Sequence, residues 1–175
     1  MSDLNVGDRV ELINDIRHRY HSRIGVITAV DHHDVPVLTE FVVKLADGGQ
    51  ASFSGFQLKR PPATTARRLR DSKVSPYMSG LRGTPGDRHM IFGADDFDLH
   101  LKVVPMERNN KVLGQLSSHT SVWDFALVTL LVEGAPRETA ITDNFGEFIL
   151  QEVPAGNVSI EVLVPSHCMV ATFDA

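Results

Sequence analysis

Residues 139–156 constrain the fold more than any other stretch, because they combine two β-runs with two turn signals. The segment reads TAITDNFGEFILQEVPAG. Asp143 and Asn144 tolerate left-handed backbone angles and Gly146 has no Cβ, so these residues predict a tight turn between the runs. A second turn then leads into residues 157–164, where apolar residues recur at every second position. The pattern predicts short strands joined by turns.

The N-terminal part shows the same kind of pattern, with short β-branched runs separated by turn residues. In its first run, Val10 and Leu12 fall on one side of a strand, whereas Arg9 and Glu11 fall on the other. An Asp-Gly pair further along is typical of a hairpin. No run has helical period, so this part predicts a small closed β-barrel.

The C-terminal part predicts a second β-unit. Residues 97–103 alternate between apolar and polar, which indicates a half-buried strand. Residues 125–132 are apolar on both faces, so we place them centrally. Together with the strands around the segment 139–156, the count is about seven, the number found in a Greek-key sandwich.

The composition changes between these two units. The stretch between them, residues 61–87, opens with Pro61 and Pro62 and contains turn residues throughout. Residues 66–70 (ARRLR) allow a short helical turn, which is too short to be stable without packing. We therefore expect an irregular linker, which is either flexible or folded on a partner.

Charge is distributed unevenly along the chain, whose net charge is −5. Residues 1–60 carry −1, residues 61–90 carry +4 and residues 91–175 carry −8. A basic middle suggests a linker that docks on an acidic face or meets an acidic partner. The alternative is a solvated connector that uses its basic residues only to remain soluble.

Several cellular settings are disfavoured. No apolar run approaches the ~20 residues needed to span a bilayer. The N-terminus lacks the basic and apolar regions of a secretory signal, and Cys168, the single cysteine, has no partner for an internal disulfide. We expect a cytoplasmic protein that does not meet the membrane.

Motifs that carry chemistry are weak. The sequence has no Gly-rich phosphate loop, no His-Glu-x-x-His and no paired cysteines. Ser118, His119 and Asp124 are residue types of a catalytic triad, and His167 precedes Cys168 as a base would precede a reactive thiol. Such sites are assembled in space, so closeness in sequence is poor evidence for either of them. Residues 31–34 (DHHD) include His32 and His33, whose imidazoles suit zinc or nickel, but adjacent strand residues face apart and a polar loop is the alternative. We expect no catalytic residue, no cofactor and no bound metal.

The C-terminal segment resembles the carboxypeptidase regulatory-like module, a transthyretin-like β-sandwich. The matching residues are Thr142, Asp143, Gly146, Phe148, Val153, Pro154 and Gly156. The sequence from Arg88 to Leu99, with the later Leu-Gly-Gln-Leu and Asn-Phe-Gly-Glu-Phe, is similar to a subset of these modules in bacterial proteins associated with extracytoplasmic-function sigma factors. This resemblance implies a binding or regulatory role.

The N-terminal part resembles an SH3-like barrel, a group that includes KOW-type modules and the barrel of the nitrile hydratase β subunit. The positions that carry the resemblance are Gly7, Asp8, Val10, Gly25, Val26, Asp47, Gly48 and Leu58. The predicted fold is therefore all-β, with an SH3-like barrel at residues 4–60, a basic linker at 61–87 and a Greek-key sandwich at 88–175.

These observations favour a non-enzymatic adaptor or regulatory subunit that binds another protein in a bacterial cytoplasmic complex, linked to sigma-factor or to stress or defence signalling. Two alternatives stay open: nucleic-acid binding by the barrel and linker, and service as an accessory subunit of a metalloenzyme. The candidate partner-binding residues are His18, Tyr20, His21, Phe56, Arg67, Arg68, Arg70, Tyr77, Leu81 and Arg82.

Overall fold

The protein is all-β wherever its structure is described. A computed structural model describes residues 4–13, 24–32, 39–73, 86–120, 125–165 and 167–175. These residues contain no α-helix, and one turn of 3-10 helix lies at Gly55–Gln57. No helix within them has the length and hydrophobicity that a membrane crossing requires.

The strands follow one another in chain order. They are β1 (Arg9–Leu12), β2 (Ile24–Asp31), β3 (Glu40–Leu45), β4 (Gln50–Ser54), β5 (Leu58–Lys59), β6 (Ala63–Thr65), β7 (Arg67–Asp71), β8 (Arg88–Ala94), β9 (Phe97–Pro105), β10 (Asn110–Ser118), β11 (Leu127–Val132), β12 (Ala135–Ile141), β13 (Glu147–Val153), β14 (Asn157–Val164) and β15 (His167–Asp174).

The described strands form three sheets of five strands each. The N-terminal sheet has the order β4-β3-β2-β1-β5, the middle sheet β12-β11-β14-β15-β6, and the outer sheet β13-β10-β9-β8-β7. Neighbouring strands are antiparallel except for β6, which pairs with β15 in parallel. Residues 88–175 supply eight of the ten described strands in the middle and outer sheets, close to the predicted seven, and β6 and β7 supply the other two.

The N-terminal sheet has its own apolar cluster. Val10 and Leu12 lie in that cluster with Ile27, as the alternation in β1 predicts. The opposite side of β1 is not a solvent face, however, since Glu11 is buried. A second layer of protein therefore covers it.

The middle and outer sheets share one core. Val128 and Leu130 of β11 pack with Leu99 and Leu101 of β9 and with Ile160 of β14. The alternation in β9 is confirmed, because its inward residues are buried and its outward residues are more exposed. Facing sheets joined by interdigitated apolar side chains account for most of the burial.

The middle sheet is also covered on its other side, by the N-terminal sheet. Ile24 and Ala46 pack there against Leu127, Leu163 and Cys168. Strand β11 is apolar on both faces because it is packed on both, which confirms its predicted central place.

An ion pair crosses the same interface. Arg9 of β1 reaches Glu161 of β14, whose carboxylate also accepts a hydrogen bond from the thiol of Cys168. Glu161 is buried. A buried carboxylate that lacked these partners would be costly, so the two layers are matched electrostatically as well as by shape.

The expectation of an irregular linker across 61–87 is wrong for residues 63–71. Strand β6 joins the edge of the middle sheet, and β7 joins the edge of the outer sheet, with the buried Ala66 between them. Residues 66–70 are therefore extended rather than helical. Pairing with a sheet edge overrides the local helical preference of arginine and leucine.

A buried ion pair anchors the end of β7. Arg88 Nε donates to Asp71 Oδ1 at 2.9 Å, and Arg88 Nη2 donates to Asp71 Oδ2 at 2.6 Å. Arg88 also donates to the backbone carbonyl of Asp174 in the middle sheet. The hydrogen bond from Arg88 holds the pKa of Asp71 below its usual value, and the carboxylate raises the pKa of Arg88.

The predicted turn after Thr142 is confirmed and joins the two facing sheets, since β12 belongs to the middle sheet and β13 to the outer one. Asp143 Oδ1 accepts hydrogen bonds from the backbone N–H groups of Phe145 and Glu147, at 2.8 and 2.9 Å. Gly146 has a φ of 76°, and a Cβ there would lie 2.1 Å from the carbonyl oxygen of Leu116. The glycine is therefore required both by its backbone angle and by its close approach.

Removing the carboxylate of Asp71 should destabilise the fold strongly. We expect Asp71→Ala to lower the free energy of unfolding by about 3 kcal/mol, because Arg88 would remain buried without its partner. Urea unfolding followed by circular dichroism measures the change.

Arg68 supplies the matched control, since its Nη1 contacts the same carboxylate at 3.1 Å but its side chain is 48% exposed. Arg68→Ala should cost less than about 1 kcal/mol. Equal losses in the two variants would show that the Asp71–Arg88 pair does not anchor β7.

The same pair predicts a pH dependence. The pKa of Asp71 is lower in the folded protein than its usual 3.8, so folding favours the ionised form. This stability is fully present above the unfolded pKa and is lost as the pH falls through the folded pKa. The stability difference between wild type and Asp71→Asn should be constant above about pH 5 and shrink below about pH 4. Urea midpoints across this range test it; a difference that grows in acid contradicts it.

Candidate binding surface

The outward face of the outer sheet forms an open groove of about 500 Å³. Along each strand, side chains directed to the core alternate with side chains directed to the groove, because successive side chains of a strand point to opposite faces. All five strands of the sheet contribute. The groove is lined by Arg70, Ser72, His89, Met90, Ile91, His100, Leu101, Lys102, Leu113, Gly114, Gln115, Asp143, Glu147, Phe148 and Ile149.

Strand register arranges the outward residues in two rows. The first row runs across all five strands, and each residue pairs with the next: Arg70, Ile91, His100, Gln115, Glu147. The second row runs across four strands: His89, Lys102, Leu113, Ile149. At ~4.8 Å between neighbouring strands, the first row spans roughly 19 Å.

The charges in the groove are segregated. Arg70 and Lys102 carry the positive charges, and the imidazoles of His89 and His100 lie beside them on the three adjacent strands β7, β8 and β9. The acidic side chains, Asp143 and Glu147, lie at the opposite end, where the chain enters β13. A ligand in this groove would meet a gradient from positive to negative charge.

Local contacts position the basic end. The backbone N–H of His89 donates to Ser72 Oγ at 2.9 Å, and the N–H of Ser72 donates back to the carbonyl of His89, also at 2.9 Å. Lys102 Nζ lies 2.7 Å from a carboxylate oxygen of Asp87, whose side chain is nearly buried. The ring nitrogen Nε2 of His89 is buried and has no hydrogen-bond partner within the described part of the chain.

The three arginines that the sequence predicts for partner binding have different surroundings in the structure. Arg67, Arg68 and Arg70 are all exposed on β7, an edge strand. Only Arg70 lines the groove, whereas Arg68 contacts Asp71. Charged residues on an edge strand also discourage pairing with another chain, so Arg67 and Arg68 have a structural explanation.

Phe56 is the one other candidate residue that the structure describes, and it does not line this groove. Phe56 lies in the 3-10 turn of the N-terminal sheet and is 65% exposed. The remaining six lie outside the described residues: His18, Tyr20, His21, Tyr77, Leu81 and Arg82. For these six the partner-binding role stays a prediction.

Sequence reasoning missed the groove residues of β8 to β10 and β13. A signal was present, since Ile91, Leu113 and Ile149 occupy outward positions where a solvated strand would carry polar residues. Ile149 is 44% exposed. Only the register of the strands shows that Leu113 and Ile149 are neighbours and that Ile91 lies on the same face, two strands away from Leu113.

The serine and histidine considered for catalysis contact neighbouring aspartates. Ser118 Oγ donates to Asp96 at 3.0 Å, and His119 Nε2 lies 3.3 Å from Asp98. Asp124 lies outside the described residues. The serine and the histidine therefore contact different aspartates.

The thiol of Cys168 is protonated at neutral pH. Burial and the neighbouring Glu161 raise the pKa of the thiol to about 12, and its Sγ donates to Glu161 Oε1 at 3.1 Å. The thiolate is the nucleophilic form of cysteine, so this residue is unreactive in the folded protein. It acts as a small buried side chain in the interface between layers.

A search of the described residues for three or more converging metal ligands finds none. Asp31 and His32 are described, at the end of β2 and just after it, whereas His33 and Asp34 are not. The structure therefore describes only two of the four residues of the DHHD run.

Comparison with models of protein families, with curated proteins and with solved structures finds no match.

The buried thiol provides a test of the layered arrangement. We expect Cys168 to resist an aromatic disulfide reagent at pH 8, because a pKa of about 12 leaves about one thiol in ten thousand ionised and the side chain is buried. The absorbance of the released thiol measures the reaction. Protein unfolded in denaturant is the control and should react at once; rapid labelling of folded protein would contradict the packing of the N-terminal sheet on Cys168.

Proposed function

We propose that this chain is a non-enzymatic adaptor or regulatory subunit of a bacterial cytoplasmic complex, and that it docks another protein in the groove of the outer sheet. The groove is the observation that carries this proposal. It is open, it combines apolar with charged side chains, and all of its lining residues except Ser72 and Asp143 belong to strands. Sites on regular strands hold their side chains in fixed positions, which suits recognition.

The layered architecture supports an adaptor. The N-terminal sheet covers one face of the middle sheet through an apolar cluster and the Arg9–Glu161 ion pair. That contact holds the N-terminal surfaces, including Phe56, in one position relative to the groove. A chain that presents separate surfaces in a fixed relation can bring two proteins together.

The resemblances point in the same direction. In our proposal the N-terminal sheet is an SH3-like barrel, and the middle and outer sheets are the sandwich of a carboxypeptidase regulatory-like module. Modules of this second kind accompany enzymes or sigma-factor systems without holding a catalytic site. The regulatory setting that we propose rests on this association rather than on a contact.

Capture with paired variants in the bacterium that encodes the chain tests the proposal. Ile149 lies in the groove and Ile141 lies outside it, and the two are 44% and 41% exposed. The same change, isoleucine to glutamate, therefore alters the groove in one variant and an ordinary surface in the other.

We expect proteins that are crosslinked to the tagged wild type to be recovered at least about tenfold less with Ile149→Glu, because burial of a charge in an apolar contact disrupts docking. Recovery with Ile141→Glu should stay within about twofold of wild type. Quantitative mass spectrometry measures both. The proposal fails if every captured protein is recovered equally with the two variants.

A further inference from the structure

The two rows of the groove alternate charge with apolar surface at its basic end. Ile91 lies between Arg70 and His100 in the first row, and Lys102 is beside Leu113 in the second. A ligand that contacts these positions must therefore offer negative and apolar groups next to each other. Acidic side chains interspersed with large apolar ones have this chemistry.

The dimensions of the groove fit a short extended polypeptide. An extended chain advances ~3.3–3.6 Å per residue, so the first row, which spans roughly 19 Å, matches about six residues. The direction is also defined. The acidic end of the segment would lie over β7 to β9, away from Asp143 and Glu147.

Nucleic acid fits the same surface less well. Its phosphates would continue past the basic end and meet Asp143 and Glu147 at the other end of the groove. Binding of single strands also depends on exposed aromatic rings, on which bases stack. The one Phe, Tyr or Trp among the lining residues is Phe148, and its side chain is buried in the core between the sheets.

We propose that the groove binds an extended acidic segment of a partner protein, in which carboxylates are interspersed with large apolar side chains. This inference rests on the proposed function, since it names the chemistry of the partner that docks there. Arg70 and Lys102 face the carboxylates, with Lys102 shared between the ligand and Asp87, and Ile91, Leu113 and Ile149 receive the apolar side chains. Attraction between exposed charges weakens with salt, so binding is tightest at low ionic strength.

A displayed library of random peptides tests the inference on the purified full chain. The library is selected against the wild-type protein at low salt, and the retained pool is sequenced. We expect enrichment of Asp and Glu together with Leu, Ile, Val or Phe. No enrichment, or enrichment of Lys and Arg, overturns the inference.

The most enriched peptide is then synthesised with a fluorescent label, and its affinity is measured by anisotropy against matched variants. Arg70→Glu and Ile149→Glu should each weaken binding by about tenfold or more. Arg67→Glu, on the same strand but outside the groove, and Ile141→Glu should stay within about twofold. Equal affinities for groove and control variants overturn the inference.

Two further probes distinguish other occupants. Labelled single-stranded DNA and RNA should bind more weakly than the peptide; tighter binding that Arg70→Glu abolishes would assign the groove to nucleic acid and overturn the inference. Sedimentation of the wild type should give a monomer. A dimer that dissociates with Ile149→Glu but not with Ile141→Glu would assign the groove to a second copy and also overturn it.

These outcomes separate this inference from the proposed function. Selection of non-acidic peptides, alongside cellular partners that Ile149→Glu loses, would leave the adaptor role and reject only the acidic segment. Selection of acidic peptides without any such cellular partner would keep the groove's chemistry and reject the adaptor role.

Discussion

The bidentate ion pair between Asp71 and Arg88 joins the edge of the outer sheet to the middle sheet, beside the apolar core that the two sheets share. It holds β7 against β8 at the edge of the outer sheet, and Arg88 also binds the carbonyl of Asp174 in the middle sheet. Three separate parts of the chain therefore meet at one guanidinium. Because both charges are buried, water does not easily take the place of either partner. The pair therefore favours one position of β7 over others.

The middle sheet is the structural centre of the described chain. Its inner face shares a core with the outer sheet, and its outer face receives the N-terminal sheet. Such a sheet has no solvated face in its central strands, which explains the near-continuous apolar sequence of β11. The groove lies on the other face of the outer sheet, the face that does not pack against the middle sheet.

The serine, histidine and thiol considered for catalysis do not line the open face. The one thiol is held protonated in the interior, and the serine and histidine that are adjacent in sequence contact different aspartates. In contrast, the groove places fixed basic and apolar side chains side by side over strands of regular geometry. Arrangements of this kind discriminate between partners by charge and shape, which is why recognition is the function that we propose.

Local sequence determined much of the secondary structure. The alternation in β9 and the turn chemistry of Asp143 and Gly146 act within a few residues. The strand and the turn that they produce can therefore be predicted from the sequence. Gly114 is different, because a Cβ at this position would lie 2.0 Å from the ring of Phe148, a contact made by pairing β10 with β13. The need for glycine there is visible only in three dimensions.

The sequence by itself determined that the chain forms strands, where most of them run, and which side of β1 and β9 is apolar. Only the tertiary structure decided that residues 63–71 are strands, since β6 pairs with β15 from the far end of the chain and gains its hydrogen bonds there. The same holds for the groove, whose residues come from five strands and become neighbours through register alone. Periodicity reports which face a side chain occupies, but the identity of its cross-strand neighbour depends on pairing between distant segments.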